Sequence, residues 1–210
     1  MKHLFICCFI CVGLLFCKQE HNKIVNNEKT ETLEIDKNSS HPQQKNYRTY
    51  FKENPTYISN GFDFPVGRPD AKGYYNAQKF QENNHLGDDW NGVGGGNTDL
   101  GNPIYAIGNG YISEVKDYKG GWGNVVRIVH LYNNKLYESL YAHCDTVLVA
   151  KNKFIKRGGQ IATIGNCNGA YLAHLHLEIR DKTNLDIGGG YSSNTSGYLN
   201  PTDYINKHRN

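Results

Sequence analysis

Apolar and polar residues alternate along Tyr171–Arg180, YLAHLHLEIR: Leu175, Leu177 and Ile179 separate His174, His176, Glu178 and Arg180. Period two is the spacing of a pleated strand, whose successive side chains leave on opposite faces. The pattern predicts a half-buried strand. One face is aliphatic; the other carries two imidazoles, a carboxylate and a guanidinium in a row. Two His at i and i+2 point the same way, so they can share a metal ion or flank one substrate. A strand that merely faces water more usually carries Thr, Lys or Ser there.

Upstream, Asn102–Val115 (NPIYAIGNGYISEV) holds two apolar runs around Asn109-Gly110, the dipeptide of two-residue hairpin turns, and predicts a β-hairpin. The run NVVRIVHLY turns at Asn133-Asn134 into KLYESLYAHC. Along that run Tyr137, Ser139, Tyr141 and His143 share one face, and Leu136, Leu140 and Ala142 the other. The first face reads as a groove wall ending in His143, where Tyr137 and Tyr141 can hydrogen-bond a substrate carbonyl or stack on a small side chain. His130, at the end of VVRIVH, reads as structural. QIATIG follows, and Gly165–Ala173 is the loop into the H-x-H strand. Helical periodicity is nearly absent from residue 61 onward, so the fold class is mainly β, an antiparallel domain.

One stretch resists a periodic reading. In Asn84–Val93, NHLGDDWNGV, His85 and Asp89 are four apart with Gly87 between them. The stretch is too rich in Gly, Asn and Asp for a stable helix, so it reads as a loop that bends an imidazole toward a carboxylate. By itself H-x-x-x-D equally describes a turn with a capping Asp. The VGGGNTDLG that follows reads as an irregular, mobile excursion.

Composition changes the picture mainly at the N-terminus. Met1-Lys2-His3 and the apolar LFICCFICVGLLF form a signal peptide over 1–16. That run is shorter than the ~20 apolar residues a membrane-spanning helix needs. Leu14-Leu15-Phe16-Cys17 resembles a bacterial lipobox, which makes Cys17 a candidate lipid anchor, although Phe16 stands where a small residue is usual. Residues 17–60 are dominated by Asn, Lys, Glu, Gln and Ser and cannot bury enough surface to offset their ordering entropy. They read as a polar tether, with the folded domain expected over 61–210. Of the 6 Cys, Cys7, Cys8, Cys11 and Cys17 lie in this leader. Cys144 and Cys167 are left either to pair or to stand as two buried thiols. The net charge of +3 is scattered and asks for no nucleic-acid partner. An exported protein of the cell envelope is expected.

His85, Asp89, His143, His174 and His176 together suggest metal chemistry. A catalytic zinc takes three N or O protein ligands and keeps one position open. The two groups left over move protons or stabilise an oxyanion. That is the arithmetic of a metallohydrolase.

Taken in order, HLGDD, GNPIYAIGNGYISEV, YAH and HLHLEIR resemble the lysostaphin-type zinc metallopeptidases, bacterial enzymes that cut peptide bonds in peptidoglycan. The resemblance runs from about Gly61 to Ile205. It implies a small domain of antiparallel β-sheets, of the duplicated-hybrid-motif kind, with the metal in an open groove. It implies Zn2+ held by His85, Asp89 and His176, with His143 and His174 as the catalytic pair. It further implies peptidoglycan peptides as partners; a monomer is expected, attached to a membrane if Cys17 carries lipid. The sequence departs from the family pattern in a longer loop after Asp89, with Gly94-Gly95-Gly96, and in Leu172-Ala173 where Gly-Pro is common. Two rivals are a non-catalytic wall-binding or amidase-activating relative, which would usually have lost a ligand, and a cupin-like iron site. The cupin pattern wants a Glu further along and a third His downstream; here Glu178 follows too closely.

Overall fold

The computed structural model describes residues 46–209. The signal peptide, Cys17 and most of the expected tether lie outside the described residues. The chain opens with helix α1 (Tyr47–Glu53) and a short 3-10 turn, Pro55–Tyr57. The strands are β1 (Tyr74–Gln78), β2 (Asp88–Gly92), β3 (Pro103–Tyr105), β4 (Gly110–Asp117), β5 (Asn124–Tyr132) and β6 (Lys135–Val147). After them come β7 (Phe154–Ile155), β8 (Gln160–Ile164), β9 (Leu175–Arg180) and β10 (Tyr198–Leu199), and helix α2 (Pro201–His208) closes the fold. No helix among the described residues is long and apolar enough to cross a membrane.

All pairings are antiparallel, and the main path runs β1-β2-β9-β6-β5-β4-β7, with β10 on β9 and β8 bridging β3 to β6. The mainly β expectation holds. The strand β9 is central. Along one side it pairs with β6, Ala142 opposite His176; along the other it pairs with β2, Asp89 opposite His176. His176 therefore stands between the two strands that bring the other site residues.

The core explains why β9 reads as it does. Leu175, Leu177 and Ile179 pack with Phe62, Ile104, Ile128 and Ile164 in the main apolar cluster. The expected half-exposed polar face is absent, because every residue of β9 is buried. Glu178 and Arg180 are fully covered and satisfy one another, Arg180 Nη2 lying 2.6 Å from Glu178 Oε2. Arg180 also donates to the carbonyls of Leu185, Asp186 and Ile187, which cover that face.

Two expectations need correction. Asn109-Gly110 makes no hairpin, since β3 pairs with β8 while β4 pairs with β5 and β7. Gly110 instead starts β4 where a Cβ would meet Ile128 Cγ2 at 2.5 Å and Val129 O at 2.6 Å. The dipeptide marks a close strand approach, not a turn. The tether does not run to residue 60 either: α1 packs Tyr47 and Phe51 on Tyr111 and Val129. Tyr50 and Tyr57 pack on the same cluster, so the aromatic residues anchor a stretch whose average composition is polar.

The Gly-rich stretch after β2 is closed rather than loose. Asp99, 2% exposed, accepts the Gly92 N–H at 2.7 Å, and Thr98 Oγ1 donates to Gly95 O at 2.7 Å.

Candidate metal centre

Three side chains converge between β2 and β9. His85 Nε2 and His176 Nδ1 are 3.0 Å apart, and Asp89 Oδ1 lies 3.4 Å from the first and 2.9 Å from the second. A tetrahedral zinc with bonds of about 2.0–2.2 Å separates its ligand atoms by about 3.3 Å, so this triangle is the right size. It is the one group of this kind among the described residues.

Local structure makes the triangle. Asp89 sits on β2 opposite His176, and His85 precedes the strand, held by a bridge to Tyr191. Gly87 lets the chain pass between them. A Cβ there would stand 2.5 Å from Leu177 O and 2.8 Å from His176 Cε1, so no side chain fits. The bend expected at this glycine is in fact a close approach to the site itself.

The electrostatics suit a cation. Burial opposes charge on His176, but hydrogen bonds to Asp89 and Glu178 more than reverse this and lift it to about 9. Burial likewise raises the Asp89 carboxyl, yet the hydrogen bonds to His176 and His85 hold it well below the usual carboxylate range. Glu178 Oε1 lies 3.2 Å from His176 Nε2. Asp89 Oδ1 and Glu178 Oε1 can only accept, so the protonated ring donates from both nitrogens; the neutral ring that an ion requires keeps its proton on Nε2, toward Glu178, and frees Nδ1 for the triangle.

His143 and His174 flank this group, their ring centroids 4.6 Å apart and His143 5.7 Å from His176. His174 Nδ1 lies 2.8 Å from Leu172 O, which fixes its proton there and turns Nε2 toward Asp89 Oδ2, 3.9 Å away. His143 has left the row the alternation assigned to it. Its φ is +58°, and β6 carries one extra residue against β5 at this point. This bulge turns His143 toward the site. Burial, then the neighbouring His176 and His174, push its pKa down to about 3.

The two tyrosines expected on the groove wall are elsewhere. Tyr141 is fully buried in the main core, where its hydroxyl accepts from the Ile107 N–H at 2.9 Å. Tyr137 lines a separate cleft of about 690 Å3 beside Tyr204 and Lys207. The same bulge is responsible: before it the row faces the core, after it the chain faces the site. The cleft over the triangle measures about 400 Å3 and is walled instead by Trp122, Tyr171, Leu172, Gly190 and Tyr191. Trp122 stacks on His143 at 6.4 Å and meets His176 edge-on at 5.4 Å. Trp122 and Tyr191 lie in loops without periodicity, where alternation could not find them, and Tyr171 stands in the loop just ahead of the H-x-H strand. Cys144 and Cys167 are both free; Cys144 is buried, and Cys167 Sγ lies 3.4 Å from His143 Nδ1.

Comparison with known proteins decides the family. The model of peptidase family M23 matches residues 89–187. Lipoprotein NlpD of Yersinia enterocolitica is 42% identical over 39% of this chain and 80% of its own length. The chain belongs to peptidase family M23. Other relatives differ in what they are named for. Peptidoglycan DD-endopeptidase ShyB of Vibrio cholerae is 33% identical over 46% of this chain and 24% of its own length. Murein hydrolase activator NlpD of Escherichia coli is 39% identical over 39% of this chain and 21% of its own length. The chain thus spans most of the Yersinia protein but less than a third of these longer M23 relatives. Among solved structures, the antimicrobial peptidase lysostaphin from Staphylococcus simulans superposes with a TM-score of 0.51 at 18% identity, over 71% of this chain and 55% of that one. The fold is that of the M23 peptidases.

Proposed function

We propose that the chain is an exported zinc-dependent endopeptidase that hydrolyses peptide bonds in peptidoglycan cross-links. The observation that carries this reading is the His85–Asp89–His176 triangle with two further imidazoles beside it in an open cleft. His85 Nε2, Asp89 Oδ1 and His176 Nδ1 would hold the ion. When bound, zinc lowers the pKa of a water ligand and polarises a carbonyl.

The remaining steps belong to the chain's own residues. His174, with its proton kept at Nδ1, offers Nε2 as a base beside the triangle. His143, held largely neutral at neutral pH by burial, is placed to donate a hydrogen bond where negative charge develops on the carbonyl oxygen. The aromatic walls admit an extended backbone with small side chains. Family membership and the relative named as a peptidoglycan endopeptidase support the substrate class. An envelope location with lipid on Cys17 is supported by the relatives named as lipoproteins.

The relatives named as murein hydrolase activators favour a second reading, in which the domain stimulates another hydrolase instead of cutting. Digestion of purified sacculi by the zinc-loaded protein alone, with mass analysis of the fragments, separates the two. Shortened cross-links on intact glycan are expected. No release alone, with release stimulated when an amidase is added, would establish the activator. Zinc content measured on Asp89→Ala tests the ligand set: an empty site is expected, and full occupancy would sink it.

A further inference from the structure

Ala173, the residue just before His174, is completely buried, and side chains hold both of its backbone polar groups. Its N–H donates to Asn97 Oδ1 at 2.8 Å, and its carbonyl accepts from Asn91 Nδ2 at 3.1 Å. Buried backbone groups outside a strand ladder must find partners somewhere. Here both come from one short segment of chain that begins at β2.

That segment is built to carry Asn97 to this place. Asn91 lies on β2 two residues beyond Asp89, so its position is tied to the triangle. The turn after it closes on itself through Asp99 on the Gly92 N–H and Gly95 N–H on Gly92 O at 3.0 Å. The Leu100 N–H donates to Asn97 O at 3.2 Å. Gly94 lies against Thr98, where a Cβ would stand 2.6 Å from Oγ1 and force that side chain to shift. The turn is a fixed arm, not a cover for the cleft.

The His174 ring is oriented by Leu172 O on Nδ1, but its backbone has only an isolated bridge to Gly165. His174 lies just outside β9, and its N–H reaches Gly165 O only at 3.3 Å. We propose that Asn91 and Asn97 clamp the Ala173 peptide and act as positioning residues for His174. The clamp ties the base to the strand that carries Asp89, so the two move as one unit. This rests on the reading of His174 as a participant in hydrolysis.

The chemistry of the clamp gives an asymmetric test. Asn97 is used only as an acceptor, so Asn97→Asp keeps its function and Asn97→Leu removes it. For Asn97→Leu, kcat is expected to fall about ten- to a hundredfold with KM little changed, while zinc content stays at the wild-type level. Amide exchange at Ala173 should quicken in Asn97→Leu and stay slow in Asn97→Asp, which should also recover most of the rate. Asn91→Leu should resemble Asn97→Leu. Wild-type kcat with unchanged Ala173 exchange in a folded Asn97→Leu protein would overturn the clamp. So would equal losses in the Leu and Asp variants, because lost acceptor capacity would then not be the cause. A wild-type protein that cuts nothing would count against the proposed function instead, and exchange at Ala173 would still judge the clamp.

Discussion

His143 adopts a left-handed backbone, φ +58°, that costs a non-glycine residue on the order of 1–2 kcal/mol. The turn places an imidazole beside the triangle, with the His143 backbone N–H donating to Trp122 O at 3.1 Å. His143→Ala and His174→Ala are each expected to keep zinc and lose roughly 10²–10⁴ in hydrolytic rate. Wild-type cleavage by His143→Ala would return it to a structural role. His130 behaves in the opposite way. It is buried, its Nδ1 2.8 Å from Asn109 O and its Nε2 2.7 Å from Ser139 Oγ. Burial, only partly offset by the Asn109 carbonyl, holds its pKa at about 4 against an ordinary 6.5. Between those values the unfolded chain takes up a proton that the folded chain refuses. Stability should therefore drop as pH falls through that window, by up to about 3 kcal/mol, and level off below it. NMR of the His130 ring checks this, and a titration near 6.5 would contradict it. The residue types of the site were legible in the sequence, down to His85, Asp89, His143, His174 and His176. The exact facing of Tyr141 and His143 was not, since a one-residue bulge shifts every later side chain and leaves no mark in composition.

Among the elements, β9 is the most heavily committed. Its alternation correctly announced a strand, but alternation alone cannot tell a solvated polar face from a buried one whose charges pair internally. Here they pair: His176 leans on Glu178, and Glu178 on Arg180. Arg180 Nη1 also stands 3.5 Å from Glu138 Oε1 across the β6 pairing. Glu178 fixes which nitrogen of His176 carries the proton, so Glu178→Gln should weaken zinc binding about 10–100-fold while leaving all three ligands in place. Competition against a chromophoric chelator measures it. An unchanged affinity in a protein shown to be folded by circular dichroism would mean that Asp89 alone orients the ring. The same variant should also lose roughly 3–5 kcal/mol of stability, because it leaves Arg180 buried with one of its two carboxylates, Glu138. The failed hairpin at Asn109-Gly110 has a related cause. Local turn chemistry favoured it, but long-range pairing of β3 with β8 prevailed.

At the scale of the whole molecule, composition and period sufficed for an antiparallel β domain, and the order of four motifs sufficed for its family. The N-terminal limit of the fold was misplaced, because the partners of Tyr47 and Phe51 lie far along the chain in β4, β5 and β7. Phe51 meets Phe154 edge-on at 5.9 Å, and Tyr57 stacks on the same ring at 4.7 Å. Phe154 belongs to β7, which ends the sheet path. A chain begun at Gly61 would uncover Tyr111, Val129 and Phe154 together. Loss of the Tyr47 and Phe51 burial alone is worth roughly 3–6 kcal/mol, so its denaturation midpoint should fall well below that of a chain begun at Asn46. Equal midpoints would show that the helix only rests on the surface. Residues 47–57 thus cover the Phe154 ring on the strand that ends the sheet path. Without them an end strand with a bare aromatic ring becomes a template for a neighbour's strand, and light scattering that grows with protein concentration is the expected signature.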